Sequence, residues 1–253
     1  MTSPSDTYRR FAALHVPGDP IILFNAWDAG SAKVVAEAGA KAIATGSASV
    51  AGAHGFTDAE ALPIGLALAN AARVVGAVDL PVTIDFEGAY AIEPEGVAAS
   101  MARLAATGAV GCNFEDQIIG GEGLYETAVQ AARVAAARKA AGADFFINAR
   151  TDIFLKAKLA THDAAMVDAA LERARAYADA GASGFFVPLL ADLALLERFC
   201  AASPLPVNFM AFPGAPSAKE VAACGVARIS HGPFPWKLAM AALKDAAAKE
   251  YRA

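Results

Sequence analysis

Eight times along this chain a short run of consecutive apolar residues is followed by a helix-length segment, most of which stop at a glycine. The runs are Ile21–Asn25, Ala42–Thr45, Val82–Asp85, Gly111–Phe114, Phe145–Ala149, Gly184–Val187, Pro206–Met210 and Val226–Ser230. Continuous apolarity, rather than alternation, is what a strand shows when helices cover both faces of its sheet. The segments between predict helices over Ala29–Ala38, Leu62–Val75, Pro94–Thr107, Thr127–Ala141, Asp163–Ala180, Leu193–Ala202, Ser217–Ala223 and Trp236–Tyr251, with one more over Tyr8–His15. Gly46 to Gly55 reads as a loop. Eight strand–helix units predict an α/β fold, a (β/α)8 TIM barrel, formed by one domain over residues 1–253. A doubly wound open sheet would bring a glycine-rich nucleotide fingerprint after the first strand, and Asn25-Ala26-Trp27-Asp28-Ala29-Gly30 is not one.

Composition narrows the partners. A net charge of -5 gives no electrostatic footprint for nucleic acid. Cys112, Cys200 and Cys224 are far apart, without C-x-x-C spacing, as in a reduced compartment. Met1 to Arg10 is polar, and no apolar run approaches the roughly 20 residues a membrane span requires. The expectation is a cytoplasmic protein acting on a small molecule, with neither nucleic acid nor membrane as partner.

In such a barrel the chemistry lies at the carboxyl ends of the strands. The third strand ends in Asp85-Phe86-Glu87, and side chains two apart on a strand leave the same face. The fourth ends in Glu115-Asp116. Acids converging at one mouth repel each other unless a cation sits among them. Oxygen-only donors favour a hard ion, Mg2+, with Mn2+ as a substitute. The other polar strand-end residues are Asn25, Asp28, Thr45, Gly46, Ser47, Asn148, Arg150, Asp152, Asn208, Ser230 and His231; the sixth strand ends in Val187-Pro188 and offers nothing ionisable. Arg150 is the fixed cation for a substrate carboxylate, or else a structural partner of Asp152 or Glu115, and the amides of Gly46 and Ser47 can cradle an anionic group. Asp28 reads equally as a helix N-cap. Cys112 reads as core, and His15, His54 and His162 as surface or loop residues.

The runs Asn25-Ala-Trp-Asp28-Ala, Pro81-Val-Thr-Ile-Asp85-Phe-Glu87-Gly, Gly111-Cys-Asn-Phe-Glu115-Asp116-Gln117 and Ile147-Asn-Ala-Arg150-Thr-Asp152 resemble those of the isocitrate lyase/phosphoenolpyruvate mutase superfamily. Gly181 to Pro188, Pro206-Val-Asn208 and Gly225 to Ser230 extend the resemblance over nearly the whole chain, as in its shorter bacterial members. It implies Mg2+ at Asp85, Glu87 and Glu115, with Asp58 acting through water. It also implies 2-oxo acid or enolpyruvate binding by Thr45, Gly46, Ser47, Ala48 and Arg150. Trp27, Asn208 and Ser230, which stand in the matching motifs, join the expected substrate contacts. Relatives commonly form dimers or tetramers and exchange their last helix, which here starts near Trp236.

Two departures shape the expected activity. After the fourth strand, isocitrate and methylisocitrate lyases carry a Lys-Lys/Arg-Cys-Gly-His loop; here Gln117 to Tyr125 has no Cys, His or Lys, so neither activity is expected. The longer gating loop of the phosphonate-forming mutases is also missing, and Gly120-Gly121-Glu122-Gly123 reads as a short lid. The family's Asp-x-Asp-x-Gly-Tyr-Gly becomes Asp85-Phe-Glu87-Gly-Ala-Tyr90-Ala. The expected function is an Mg2+-dependent lyase that breaks a C–C bond of a small 2-oxo or 2-hydroxy acid through a metal-stabilised enolate. Oxaloacetate-type decarboxylation is the example, with Tyr90 or His231 delivering the proton. The alternatives are P–C chemistry on phosphonopyruvate or phosphoenolpyruvate, and a 2-oxo acid binding protein without catalysis.

Overall fold

A computed structural model of the chain describes residues 3–252. Among them the strands are β1 (His15–Val16), β2 (Asp19–Leu23), β3 (Ile43–Ala44), β4 (Val82–Asp85), β5 (Gly111–Glu115), β6 (Phe146–Arg150), β7 (Gly184–Phe186), β8 (Val207–Met210) and β9 (Arg228–Ser230). The helices are α1 (Pro4–Ala13), α2 (Ala29–Glu37), α3 (Ser47–Ala53), α4 (Ile64–Ala77), α5 (Pro94–Ala105), α6 (Thr127–Ala141), α7 (Ala164–Asp179), α8 (Leu193–Ala202), α9 (Ala218–Ala223) and α10 (Phe234–Glu250). The sheet runs in the order β1-β2-β9-β8-β7-β6-β5-β4-β3. Strands β2 to β9 are parallel, and a single parallel bridge between Ala26 and Thr45 closes the curl into a barrel. The eight expected strands are all present.

Three elements differ from the sequence reading. The first helix starts at Pro4, where Ser3 caps it by accepting from the Asp6 amide. His15–Val16 turns back as an antiparallel strand on β2. Ser47 to Ala53, read as loop, is the helix α3. Its small residues let it lie close to α10: a Cβ on Gly52 would sit 2.9 Å from the Trp236 ring.

The barrel interior is polar in its middle layer. On β5, Gly111, Asn113 and Glu115 point inward, while Cys112 and Phe114 face the helices and are fully buried. Gly111 must be glycine, because a Cβ there would run into the Phe146 carbonyl. Asn113 pairs in register with Asn148, and Asn208 with Arg228. Asn148 donates to Asn113 Oδ1 at 2.9 Å and to Asn208 Oδ1 at 3.0 Å, and Arg228 donates to Asn113 Oδ1 at 3.1 Å. This layer is the floor on which the strand ends stand.

At the opposite end of the barrel, His15 is buried, not a surface residue as expected. Its ring stacks on Phe146 at 4.2 Å and meets the edge of Phe11 at 4.7 Å, so the helix α1 closes the bottom over it. Burial, reinforced by the Arg228 charge, holds its imidazole down at about 3. An unfolded chain takes up a proton at His15 below its ordinary value of 6.5 and the folded chain does not, so this residue makes stability fall as the pH drops. Urea unfolding of wild type and a His15→Phe variant should therefore diverge, wild type losing about 2 kcal/mol relative to the variant between about pH 7 and about pH 5. Parallel pH profiles would refute it.

Candidate active site

The carboxyl ends of the strands open into a cleft of about 310 Å³. Its floor is polar, with Asn25, Ser47, Asp85, Asn113, Arg150 and Ser230 around it and Asp58 at the rim. Gly46 and Ala48 also line it, as expected.

Asp85 ends β4 and is held on both oxygens. Its Oδ2 accepts from the Ser47 amide and hydroxyl, each at 2.9 Å, and its Oδ1 accepts from Asn113 Nδ2 at 3.2 Å. Thr45 acts from behind: its hydroxyl accepts from the Asp85 amide at 3.0 Å, and it is buried away from the cleft. Glu87 is buried and accepts from the Glu60 amide at 2.8 Å. Burial, together with Asp58 and Asp85, pushes its carboxyl up to about 8. Asp58 is also shifted upward, by partial desolvation at the cleft rim and by Asp85. None of Asp58, Asp85 and Glu87 takes part in an ion pair among the described residues.

Glu115 is placed differently. Its Oε2 lies 2.7 Å from Arg150 Nη1 and its Oε1 accepts from Gln117 Nε2 at 3.1 Å. Arg150 also grips Asp152 with two hydrogen bonds, Nε at 2.6 Å and Nη2 at 2.8 Å. Burial opposes the guanidinium charge, but Glu115 and Asp152 outweigh it and hold Arg150 charged. Arg150 thus is both a structural partner of the two acids and the cation that lines the cleft. Asp116 turns outward to Arg173 at 3.0 Å, the Tyr177 hydroxyl at 3.1 Å and the Asp152 amide at 3.0 Å.

Among the described residues no three His, Cys, Asp or Glu side chains converge as a closed metal shell. The donor chemistry nevertheless fits an open site. Mg2+ keeps several waters and is bound through one or two carboxylates, and Asp58, Asp85 and Glu87 are neighbouring carboxylates that form no ion pair among the described residues; burial and the adjacent acids shift Asp58 and Glu87 upward. In this arrangement Glu115 stands one step back, neutralised by Arg150.

Other expected contacts lie off the cleft. His231 lines a separate groove with Ile22 and Phe209; its Nδ1 is 3.1 Å from the Leu23 carbonyl and its ring sits against Phe24. The turn after β9 sends this side chain outside the barrel, so its placement gives no support to proton delivery. Trp27 lines an apolar groove with Val34 and Leu238. Asn208 stays inside the barrel, donating to the Phe209 carbonyl at 2.7 Å and Ser230 Oγ at 3.1 Å. Tyr90 stands beside Glu87 in a small neighbouring pocket, where burial and the adjacent acids keep its phenol protonated. Asp28 is the N-cap of α2, in a capping box with Ser31. The Gln117–Leu124 segment forms a tight hairpin.

Residues that strand-end reasoning missed hold the acidic loop. Glu87, Ala89 and Tyr90 all have positive φ, at 50°, 65° and 56°, a conformation that disfavours side chains. The family's glycine at position 89 is the alanine that now carries this strain. Arg133, buried on α6, donates to the carbonyls of Gly88 and Ala91 at 2.8 Å each, and Glu60 Oε1 accepts from the Tyr90 amide at 2.7 Å. The one signal for Arg133 was the polar pair Gln130 and Arg133, three apart in the middle of a helix.

The sequence profile described as phosphoenolpyruvate phosphomutase matches residues 11–250. The chain belongs to that family. An uncharacterised protein of Mycobacterium tuberculosis is 35% identical over 94% of this chain and 87% of its own length. A Burkholderia cenocepacia J2315 structure, provisionally described as a phosphonomutase, is 50% identical, covers 98% of this chain and 100% of its own, and superposes with a TM-score of 0.95. The structure of 2,3-dimethylmalate lyase, a member of the same superfamily, is 26% identical, with a TM-score of 0.85 over 100% of this chain and 89% of its own. The family therefore spans lyases and mutases on one barrel.

Arg133→Met would remove the donor from the carbonyls of buried Gly88 and half-buried Ala91. We expect a loss of about 3 kcal/mol in urea unfolding. A loss within error of zero would show that the strained loop holds without Arg133.

Proposed function

We propose that this protein is an Mg2+-dependent lyase that breaks a C–C bond of a small 2-oxo or 2-hydroxy acid. The observation that carries the reading is the grouping of Asp58 and Asp85 in one cleft with Glu87 in the adjoining pocket, none of them in an ion pair among the described residues, beside one arginine fixed by two acids. Asp85, Glu87 and Asp58 would hold the ion, with Glu115 behind them, and Mn2+ would substitute. When bound, the metal supplies a Lewis acid that draws electron density from the substrate carbonyl. Phosphonopyruvate hydrolase, a more distant relative in fold, has been described in complex with oxalate and Mg2+, in keeping with this assignment.

The chain's own groups have separate tasks. Arg150, its orientation set by Glu115 and Asp152, pairs with the substrate carboxylate and offsets the charge that develops as the bond breaks. Ser47 keeps Asp85 oriented through two hydrogen bonds. Tyr90, its phenol kept protonated beside Glu87, is the proton donor the arrangement favours over His231. Incubation with Mg2+ and 2-oxo or 2-hydroxy diacids, oxaloacetate included, should give turnover above the free-metal rate. Asp85→Asn should lower it at least about a hundredfold. Silence across the panel with metal binding intact would overturn the reading.

A second reading, P–C bond chemistry on phosphonopyruvate or phosphoenolpyruvate, draws support from the 50% identical relative's description. Phosphorus NMR distinguishes it through released phosphate or isomerised phosphonate. Against it stands the cleft wall, where Arg150 is the single cation and a phosphoryl group calls for several.

A second copy of this chain is the partner we propose. The helix α10 leaves Leu238 and Leu243 exposed at 66% and 63%, beside the apolar groove of Trp27 and Val34. Light scattering should report a dimer or tetramer in wild type and a smaller species in Leu238→Glu/Leu243→Glu. A monomeric wild type would refute it.

A further inference from the structure

One buried cation has no part in the chemistry described so far. Arg228 lies on β9 inside the barrel, 1% exposed, and belongs to no ion pair among the described residues. Its Nη2 donates to Asn113 Oδ1 at 3.1 Å, while Nε and Nη1 have no hydrogen-bond partner. Burying a guanidinium without an acid beside it is costly, so the nearest negative charge decides what it acts on. Toward the bottom of the barrel there is none: His15 is the titratable group on that side, and its imidazole stays neutral. Behind β5, burial pushes the Cys112 thiol up and keeps it protonated. Burial pulls the Arg228 guanidinium down to about 10, and the Asp85 carboxylate opposes that fall, so Arg228 is charged at neutral pH.

Asn113 connects the two. It pairs in register with Asp85 on one side and with Asn148 on the other. A guanidinium can only donate, so Arg228 faces the carbonyl oxygen of the Asn113 amide, and Asn148 donates to the same oxygen at 2.9 Å. The amide nitrogen is thereby turned the other way, where it donates to Asp85 Oδ1 at 3.2 Å. One amide plane separates a fixed positive charge from a carboxylate at the cleft. In a buried layer, out of reach of salt, such a charge acts over that span with little screening. We propose that Arg228 is a positioning residue that limits how tightly the metal is held: from beneath Asp85 it offsets part of the acids' repulsion in the empty cleft and weakens their grip on a divalent cation. This deepens the proposed function and rests on its placement of Mg2+ at Asp85. Arg228 itself touches neither ion nor substrate; it acts through Asn113 and through its field.

The test is calorimetric titration of Mg2+ alone, at about pH 8.5 so that protons compete little for the acids. Wild type is compared with Arg228→Met, Arg228→Gln and Arg228→Lys; Asn148 still holds the Asn113 amide in each. Removing the charge in Arg228→Met should tighten Mg2+ binding at least about tenfold. Arg228→Gln, which keeps a donor for Asn113 without the charge, should do the same and serves where the methionine variant does not fold. Arg228→Lys keeps the charge and should stay within about threefold of wild type. A barrel merely loosened by the substitution would bind the ion more weakly, so the direction of the change separates the electrostatic role from a structural one. If the uncharged variants bind Mg2+ no more tightly than wild type, the inference fails while the proposed function stands. Tightening in Arg228→Lys equal to that in Arg228→Met would also overturn it, since the charge would then not be the cause. If wild type takes up no Mg2+, the proposed function fails and takes the inference with it.

Discussion

Too many carboxylates at one barrel mouth is the constraint that the surrounding structure answers. Asp85, Glu87, Glu115, Asp116 and Asp152 lie within two or three residues of the ends of three adjacent strands, and Asp58 reaches the same cleft. In a partly desolvated setting their repulsion is several times what water would allow. The chain relieves it in two ways. Asp116 is drawn outward to Arg173 and Tyr177, and Glu115 and Asp152 are tied together by Arg150. The remaining three, Asp58, Asp85 and Glu87, receive backbone and side-chain donors but form no ion pair among the described residues, and burial first, then the neighbouring acids, shift Asp58 and Glu87 upward. Clustered acids of this kind, shifted by burial and by one another, are a feature of functional sites.

Holding these acids requires strain, and the strain is confined. Six non-glycine residues among those described have positive φ: Leu189, which lines the cleft, and Ala59, Glu60, Glu87, Ala89 and Tyr90. Five belong to the two segments that carry Asp58 and Glu87. Glu60 ties the two segments together through Glu87 and the Tyr90 amide, Arg133 holds the second through the Gly88 and Ala91 carbonyls, and Arg133 is itself enclosed between the Tyr125 and Phe114 rings at 4.1 and 5.0 Å. Rigid strands below and a packed helix behind make an unfavourable backbone tolerable, because unfolding the loop would expose both.

The strain also explains how far the site could be read from the residues. Asp85 and Arg150 sit on strands or at their ends, where alternation alone tells which way a side chain points. One step beyond a strand that rule lapses. His231 follows β9 directly and leaves the barrel; Glu115 has the right direction, yet spends both oxygens on Arg150 and Gln117. Ser47 and Asn113 were visible as polar strand-end or strand residues, but their shared hold on Asp85 joins positions 38 and 28 apart in sequence. The apolar residues that line the cleft were invisible for a different reason. A search for chemistry passes over leucine and phenylalanine, so the sixth unit's Val187-Pro188 end looked empty although its neighbours Phe186 and Leu189 face the cleft.

By itself the sequence determined the architecture: eight runs of strand-length apolarity, each followed by a helix, admit few closed arrangements, and hydrophobic periodicity is a local property. It also determined the superfamily and the presence of an acid-rich mouth, since those rest on residues at or near strand ends. The tertiary structure alone decided which acids are paired with an arginine and which are not. It decided too which side chains enter the cleft and that apolar ones stand among the polar ones there. Those outcomes depend on contacts between segments far apart in the chain and on backbone turns in left-handed conformations, neither of which leaves a periodic trace in the order of residues.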